Sequence, residues 1–271
     1  MGDTWHSDDL PQDTALTPRD WLRVVRRAVP LIMLVFGGLA ILLLMRVIER
    51  PIFGMRRPLT PYLTQIVCRL SFVLLGIRYT RKGAPLAGPG AVVANHASWL
   101  DIFALNAAKR IYFVAKSEVA LWPGIGWLAR ATGTVFIKRS RSALTDQIAT
   151  FHERLSAGHR LLFFPEGTST DGLQVLPFKP ALFEAFFHPQ IGEGLFLQAV
   201  TVNYTAPQGA DPRFYGWWGD MDFAPHLLHT LAAKRQGSVQ VIYHAPVARK
   251  DFADRKALAK HLEDQVRSGL T

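Results

Sequence analysis

The stretch Asn95-His96-Ala97-Ser98-Trp99-Leu100-Asp101 brings an imidazole and a carboxylate within five positions of each other. A neutral imidazole, with an unperturbed pKa of ~6.5, can take a proton from an alcohol. A carboxylate that accepts from its other ring nitrogen fixes the tautomer and stabilises the imidazolium that forms. Five residues along one continuous helix would set the two side chains about 140° apart, on different faces. The pair therefore works as a general base only if His96 lies in a loop and the helix begins near Ser98, so that the turn carries Asp101 back to the ring. A second reading of the same residues involves no catalysis: Ser98 with Asp101 three positions on is the pattern of a capping box.

Two other stretches carry polar chemistry. Phe164-Pro165-Glu166-Gly167-Thr168-Ser169-Thr170 offers a carboxylate, a glycine that lets the backbone approach a ligand, and three hydroxyls. Taken alone it is equally an ordinary strand-to-loop turn. Gly133-Thr134-Val135-Phe136-Ile137-Lys138-Arg139 ends in two cations, and the Arg139 guanidinium has the geometry to clamp a phosphate or carboxylate. An isolated Lys138-Arg139 pair also reads as a solvated strand end.

The elements that must position these residues follow from hydrophobic patterning. Apolar, β-rich runs at 91–95, 111–115, 134–138, 161–165, 196–202 and 239–244 alternate with helical patterns, which predicts an α/β fold with a central, largely parallel sheet flanked by helices. His96 follows the first run and Glu166 the fourth, so both fall on loops leaving strands, where such folds commonly build their sites. The clearest helix is expected over 142–157, where Leu144, Ile148, Phe151 and Leu155 form one apolar face and Gly158 is placed to end it.

The N-terminal third has a different character. Residues 1–27 read as a polar tail, and residues 28–45 carry no charge over 18 positions, about 27 Å as a helix and near the thickness of a bilayer core. The run from Tyr62 to Ile77 is shorter and contains Arg69, the pattern of an amphipathic helix lying at the interface. The expected organisation is a tail at 1–27, a membrane anchor and interfacial helix at 28–79, and a catalytic domain at 80–271. Arginines at both ends of the apolar run leave its orientation open.

Lys and Arg outnumber Asp and Glu by 31 to 21, a net charge of +10, which suits an anionic partner such as lipid headgroups, nucleic acid or an acidic carrier protein. Nucleic acid is set aside because no zinc-finger spacing, RNP-like motif or long basic run accompanies the charge. The nine histidines are scattered without a ligand-like cluster, so no metal is expected. The lone Cys68 permits no intrachain disulfide and reads as a small buried hydrophobe.

In order and spacing, the three polar stretches resemble the glycerolipid acyltransferase family typified by 1-acylglycerol-3-phosphate acyltransferase, over roughly residues 60–245. The resemblance implies that His96 and Asp101 are catalytic. It implies that Lys138, Arg139, Glu166, Gly167 and Thr168 bind the acyl acceptor, with a fourth, apolar block at 197–202. Two departures are visible: Ser169 stands where the family commonly has Arg, and residues 198–201 lack the usual proline. Losing that Arg removes a phosphate clamp. The run Glu166-Gly167-Thr168-Ser169-Thr170-Asp171-Gly172 and the later Gly216-Trp217-Trp218-Gly219-Asp220-Met221 more closely resemble the branch that includes lyso-ornithine lipid acyltransferases.

The expected reaction is direct transfer from an acyl carrier protein or coenzyme A thioester to a lysolipid hydroxyl, with His96 as base, no cofactor, and backbone donors near Gly167 facing the oxyanion. The acceptor is lyso-ornithine lipid, 1-acylglycerol-3-phosphate or both. The expected location is the bacterial inner membrane, with the site on the cytoplasmic side. Rival readings are a hydrolase built on Ser98, for which no Gly-x-Ser-x-Gly elbow is present, a strict lysophosphatidic acid acyltransferase, and a non-catalytic protein that binds anionic membranes.

Overall fold

Thr17 starts the longest helix in the computed structural model, which describes residues 4–7, 15–137 and 144–271. Its side chain accepts from Asp20 N, the Asp20 carboxylate accepts from Thr17 N, and Pro18 occupies the first turn. This capping box launches α1 at Pro18, ten residues before the expected anchor, so 18–27 belong to the helix and not to a polar tail. α1 (Pro18–Phe53) is long and apolar enough to cross a membrane, and Ile32, Met33, Leu44, Val47 and Ile48 are exposed along it.

α2 (Thr60–Leu75) packs back against α1. They approach closely at Gly38, where a Cβ would meet the Val67 side chain at 2.7 Å. One face of α2 is buried through Cys68, Ser71, Phe72 and Leu75, while Tyr62, Ile66, Leu70 and Val73 are exposed.

Both ends of α1 are fastened to neighbouring elements. Near the start, the buried Arg27 donates to Leu231 O and Ala233 O, each at 2.6 Å, at the C-terminal end of α6 (Phe223–Ala232), where terminal carbonyls favour a cation. Near the end, the buried Glu49 accepts from Leu59 N, Thr60 N and the Thr60 hydroxyl, closing the turn into α2.

The remaining strands are β1 (Arg78–Lys82), β2 (Gly90–Ala94), β3 (Tyr112–Lys116), β4 (Val135–Ile137), β5 (Arg160–Phe163), β6 (Phe196–Thr205), β7 (Ser238–Tyr243) and β8 (Val247–Ala248). They form one sheet in the order β1-β7-β6-β2-β5-β3-β4, with β8 pairing β6. From β6 to β4 every pairing is parallel, whereas β7 and β8 run antiparallel to β6. All six predicted strands are present within a few residues of their expected limits, Lys138 lying outside the described residues. β1 escapes sequence detection because Arg-Tyr-Thr-Arg-Lys is a mostly exposed edge strand with no apolar pattern. β8 is two residues long.

Helices cover both faces of the sheet. Alternation along β2 sends Val92 and Ala94 into a core with Phe72, Leu75, Leu100 and Leu105, on the side of α2 and α3 (Leu100–Ala108). Ala91 and Val93 face the second core, with Phe183, Phe186, Leu258 and Leu262, under α5 (Leu144–Ser156) and α7 (Arg255–Ser268). A strand buried on both faces belongs to the centre of a parallel sheet. β2 therefore delivers His96 from the buried centre of the sheet.

Candidate active site

The chain leaves β2 through Asn95, whose side-chain amide donates to Val202 O and whose oxygen accepts from Val202 N. This pair extends the contact with β6 beyond the end of the strand. His96 and Ala97 lie in the loop, and α3 begins four residues after His96, at Leu100. That is the geometry the dyad requires: His96 Nδ1 lies 2.7 Å from Asp101 Oδ2.

Asp101 is fully buried and accepts from every direction. Its Oδ2 also takes the backbone N–H groups of Ala97 (2.9 Å) and Ser98 (3.0 Å), and its Oδ1 takes the Tyr204 hydroxyl from β6 at 2.7 Å. Surrounded by donors, an ionised Asp101 is an acceptor only, so the hydrogen between it and the ring belongs to His96 Nδ1. The Nε2 lone pair is then free to take a proton. The two readings of the sequence coincide here, because the carboxylate that orients the imidazole also satisfies the N–H groups ahead of α3. Ser98 is buried, with its hydroxyl accepting from Leu100 N. Its hydroxyl is thus engaged with the first turn of α3.

The loop after β5 (Phe164 to Thr170) holds the base from the other side. The Phe164 ring stacks on the His96 imidazole at 4.0 Å and 11°. Thr170 N donates to His96 O at 2.9 Å, and Trp217 N donates to Ala97 O at 2.8 Å. Glu166 was expected to contact the acceptor, but its carboxyl points inward: Oε1 accepts from His96 N at 2.8 Å and Oε2 from Leu176 N at 2.7 Å. It is buried, and loss of solvent pushes its pKa up to about 8 against the pull of those two N–H groups. Its place is behind the base.

Gly167 has φ +79°, and the Lys179 side chain lies over it, with Nζ 3.2 Å from where a Cβ would stand. A side chain at 167 would be strained and would displace that cation. Gly167 N donates to Phe164 O at 3.1 Å, so this N–H is engaged in the turn and is not the expected oxyanion donor. The Thr168 hydroxyl accepts from Trp5 N at 3.3 Å, and the Trp5 ring packs on Trp218 at 6.0 Å. The segment at 4–7 thus lies against the loop that carries Thr168. Lys138 and Arg139 lie outside the described residues.

The residues missed from the sequence are Tyr204, Phe164 and Asn95. Phe164 and Asn95 each lay within a stretch already singled out, without a role assigned to them. Tyr204 is 103 positions from Asp101, and nothing local marks it.

Over 266 residues the chain is 52% identical to the lyso-ornithine lipid O-acyltransferase of Rhodobacter capsulatus, covering 98% of this chain and 96% of that one. This chain belongs to the acyltransferase family. The acyltransferase family model matches residues 76–198, from just before β1 into β6, and so takes in the His96–Asp101 dyad and the Glu166 loop. The enzyme is also 39% identical to the lyso-ornithine lipid O-acyltransferase of Brucella abortus over 80% of its length and 83% of the relative. It is 34% identical to the 1-acyl-sn-glycerol-3-phosphate acyltransferase of Neisseria meningitidis over 65% of its length and 68% of the relative. Among solved structures, the 1-acyl-sn-glycerophosphate acyltransferase of Thermotoga maritima shares the acyltransferase's fold, with a TM-score of 0.66 at 23% identity over 93% of this chain and 95% of that one.

Proposed function

We propose that this acyltransferase moves a fatty acyl group from a carrier thioester to the free hydroxyl of lyso-ornithine lipid, with 1-acylglycerol-3-phosphate as a second acceptor. The observation that carries the reading is the buried Asp101 holding His96 Nδ1 at 2.7 Å, in a chain 52% identical along nearly its whole length to a relative of that name.

In the proposed reaction, His96 Nε2 takes the proton of the acceptor hydroxyl as its oxygen attacks the thioester carbonyl carbon. The tetrahedral intermediate collapses with cleavage of the C–S bond, and the imidazolium returns the proton to the departing thiolate. No acyl-enzyme is needed. Lys179 over Gly167, with Thr168, Lys138 and Arg139, supplies the polar contacts to the acceptor headgroup. Absence of Arg at 169 favours an acceptor other than a phosphomonoester as the main one.

The donor is an acyl carrier protein or coenzyme A thioester, either of which is acidic and matches the net charge of +10. The exposed apolar faces of α1 and α2 hold the enzyme at the bacterial inner membrane, with the site on the cytoplasmic side where such thioesters are made. The test is acyl transfer by membranes containing the protein, offering labelled acyl carrier protein or coenzyme A thioester with each lysolipid, beside His96→Ala. Product that depends on His96, greater with lyso-ornithine lipid, is expected. No His96-dependent product with either lipid would overturn the proposal.

A further inference from the structure

Asp101 Oδ2 is shared by three donors, His96, Ala97 and Ser98, whereas among the described residues Oδ1 has a single partner, the Tyr204 hydroxyl at 2.7 Å. Tyr204 reaches it from β6, an element separate from the loop and helix that carry the dyad. Burial and the adjacent carboxylate raise the Tyr204 pKa far above the usual phenol range, so it remains a donor at every pH at which the enzyme works.

We infer that Tyr204 is a positioning residue that sets the proton affinity of the catalytic base through Asp101. The inference rests on the His96 mechanism proposed above. A donor on Oδ1 draws charge from the carboxylate and weakens its hold on the imidazolium, so His96 gives up its proton to the leaving thiolate more readily. The other titratable groups around the dyad are few. Glu166 stands behind His96 N, and Arg267 acts on Glu166 from α7. Tyr79 and Tyr215 face the Tyr204 ring. None of these bonds to Oδ1.

The experiment is the pH profile of kcat/KM for Tyr204→Phe against wild type. With its donor gone, Asp101 becomes a stronger acceptor and the imidazolium is held more tightly, so the acid limb is expected to move upward by about half to one pH unit. Tyr215→Phe is the control: it deletes another buried hydroxyl, bonded to Gln236 and Gly237 N, and leaves the limb in place. If Tyr204→Phe does not fold, 3,5-difluorotyrosine at 204 serves instead, since a more acidic phenol donates more strongly and must move the limb downward. A wild-type enzyme that transfers acyl groups while either variant leaves the acid limb unmoved would overturn the inference. Lack of wild-type transfer would instead remove the mechanism on which it rests.

Discussion

Glu166 accepts the backbone N–H of His96 at 2.8 Å, so the carboxyl that a family motif would assign to substrate instead fixes the main chain of the proposed base. Its pKa, raised by burial to about 8, has a sign that can be tested. Because the folded state holds the proton more tightly than the unfolded state, this group's contribution to stability is full below the unfolded pKa. It is lost as pH rises to about 8. Glu166→Gln has no such dependence and turns an NH₂ towards one of the two N–H groups. The variant is expected to melt lower than wild type in detergent, by roughly 1–3 kcal/mol at pH 5, with the gap narrowing towards pH 8. A gap that widened with pH would show that the carboxyl is ionised in the fold.

Asp101→Asn tests the tautomer. An amide carries no negative charge to stabilise the imidazolium, its NH₂ is mismatched with the donating Tyr204 hydroxyl, and when that NH₂ turns to the ring it favours the ring hydrogen on Nε2, where the base needs a lone pair. A fall in kcat of about 10²–10⁴-fold is expected from the loss of general-base catalysis, with KM little changed. Single-turnover transfer measures the chemical step directly.

Phe164→Leu keeps the apolar volume beside His96 but removes the stacked ring. A ring 4.0 Å from the imidazole restricts its rotation and stabilises the imidazolium, so kcat is expected to fall by roughly fivefold, from a contribution of ~1 kcal/mol. Thermal stability should change little. An unaltered kcat would reduce the stack to packing.

Gly167→Ala places a Cβ at positive φ and 3.2–3.3 Å from the Lys179 chain. The strain should cost about 1–2 kcal/mol of stability, and the displaced cation should raise KM for the acceptor. Lys179→Met separates the two effects: it is expected to raise KM for 1-acylglycerol-3-phosphate more than for lyso-ornithine lipid, without the loss of stability. Equal effects on both acceptors would place Lys179 away from the phosphate.

The sequence made the sheet legible where apolar runs cross a buried centre, as at Ala91–Ala94 and Leu161–Phe163, because burial on both faces leaves a continuous hydrophobic signal. The solvent-facing β1 left none. The dyad could be read because five positions fit one turn into α3. Glu166 was recognisable as a functional carboxyl, but its direction depends on Leu176 and His96 meeting it inside the fold. Tyr204 was hidden for a related reason: its neighbours in sequence describe only a buried strand, and its hydroxyl finds Asp101 through the pairing of β6 with β2. Thr17-Pro18-Arg19-Asp20 was a legible capping signal, overshadowed by the charged residues that follow it.

The fastening of α1 at both ends supplies a last test. Arg27→Met leaves the Leu231 and Ala233 carbonyls without their cation, and is expected to cost about 2–3 kcal/mol, measured as melting in detergent. Clamped by Arg27 at one end and Glu49 at the other, the helix is no leash on which the catalytic domain could swing or reach. On the proposed membrane seating, the depth at which the enzyme rides in the lipid would be a fixed dimension of the protein, and an acceptor would have to present its hydroxyl at that one height before any side chain inspects its charge.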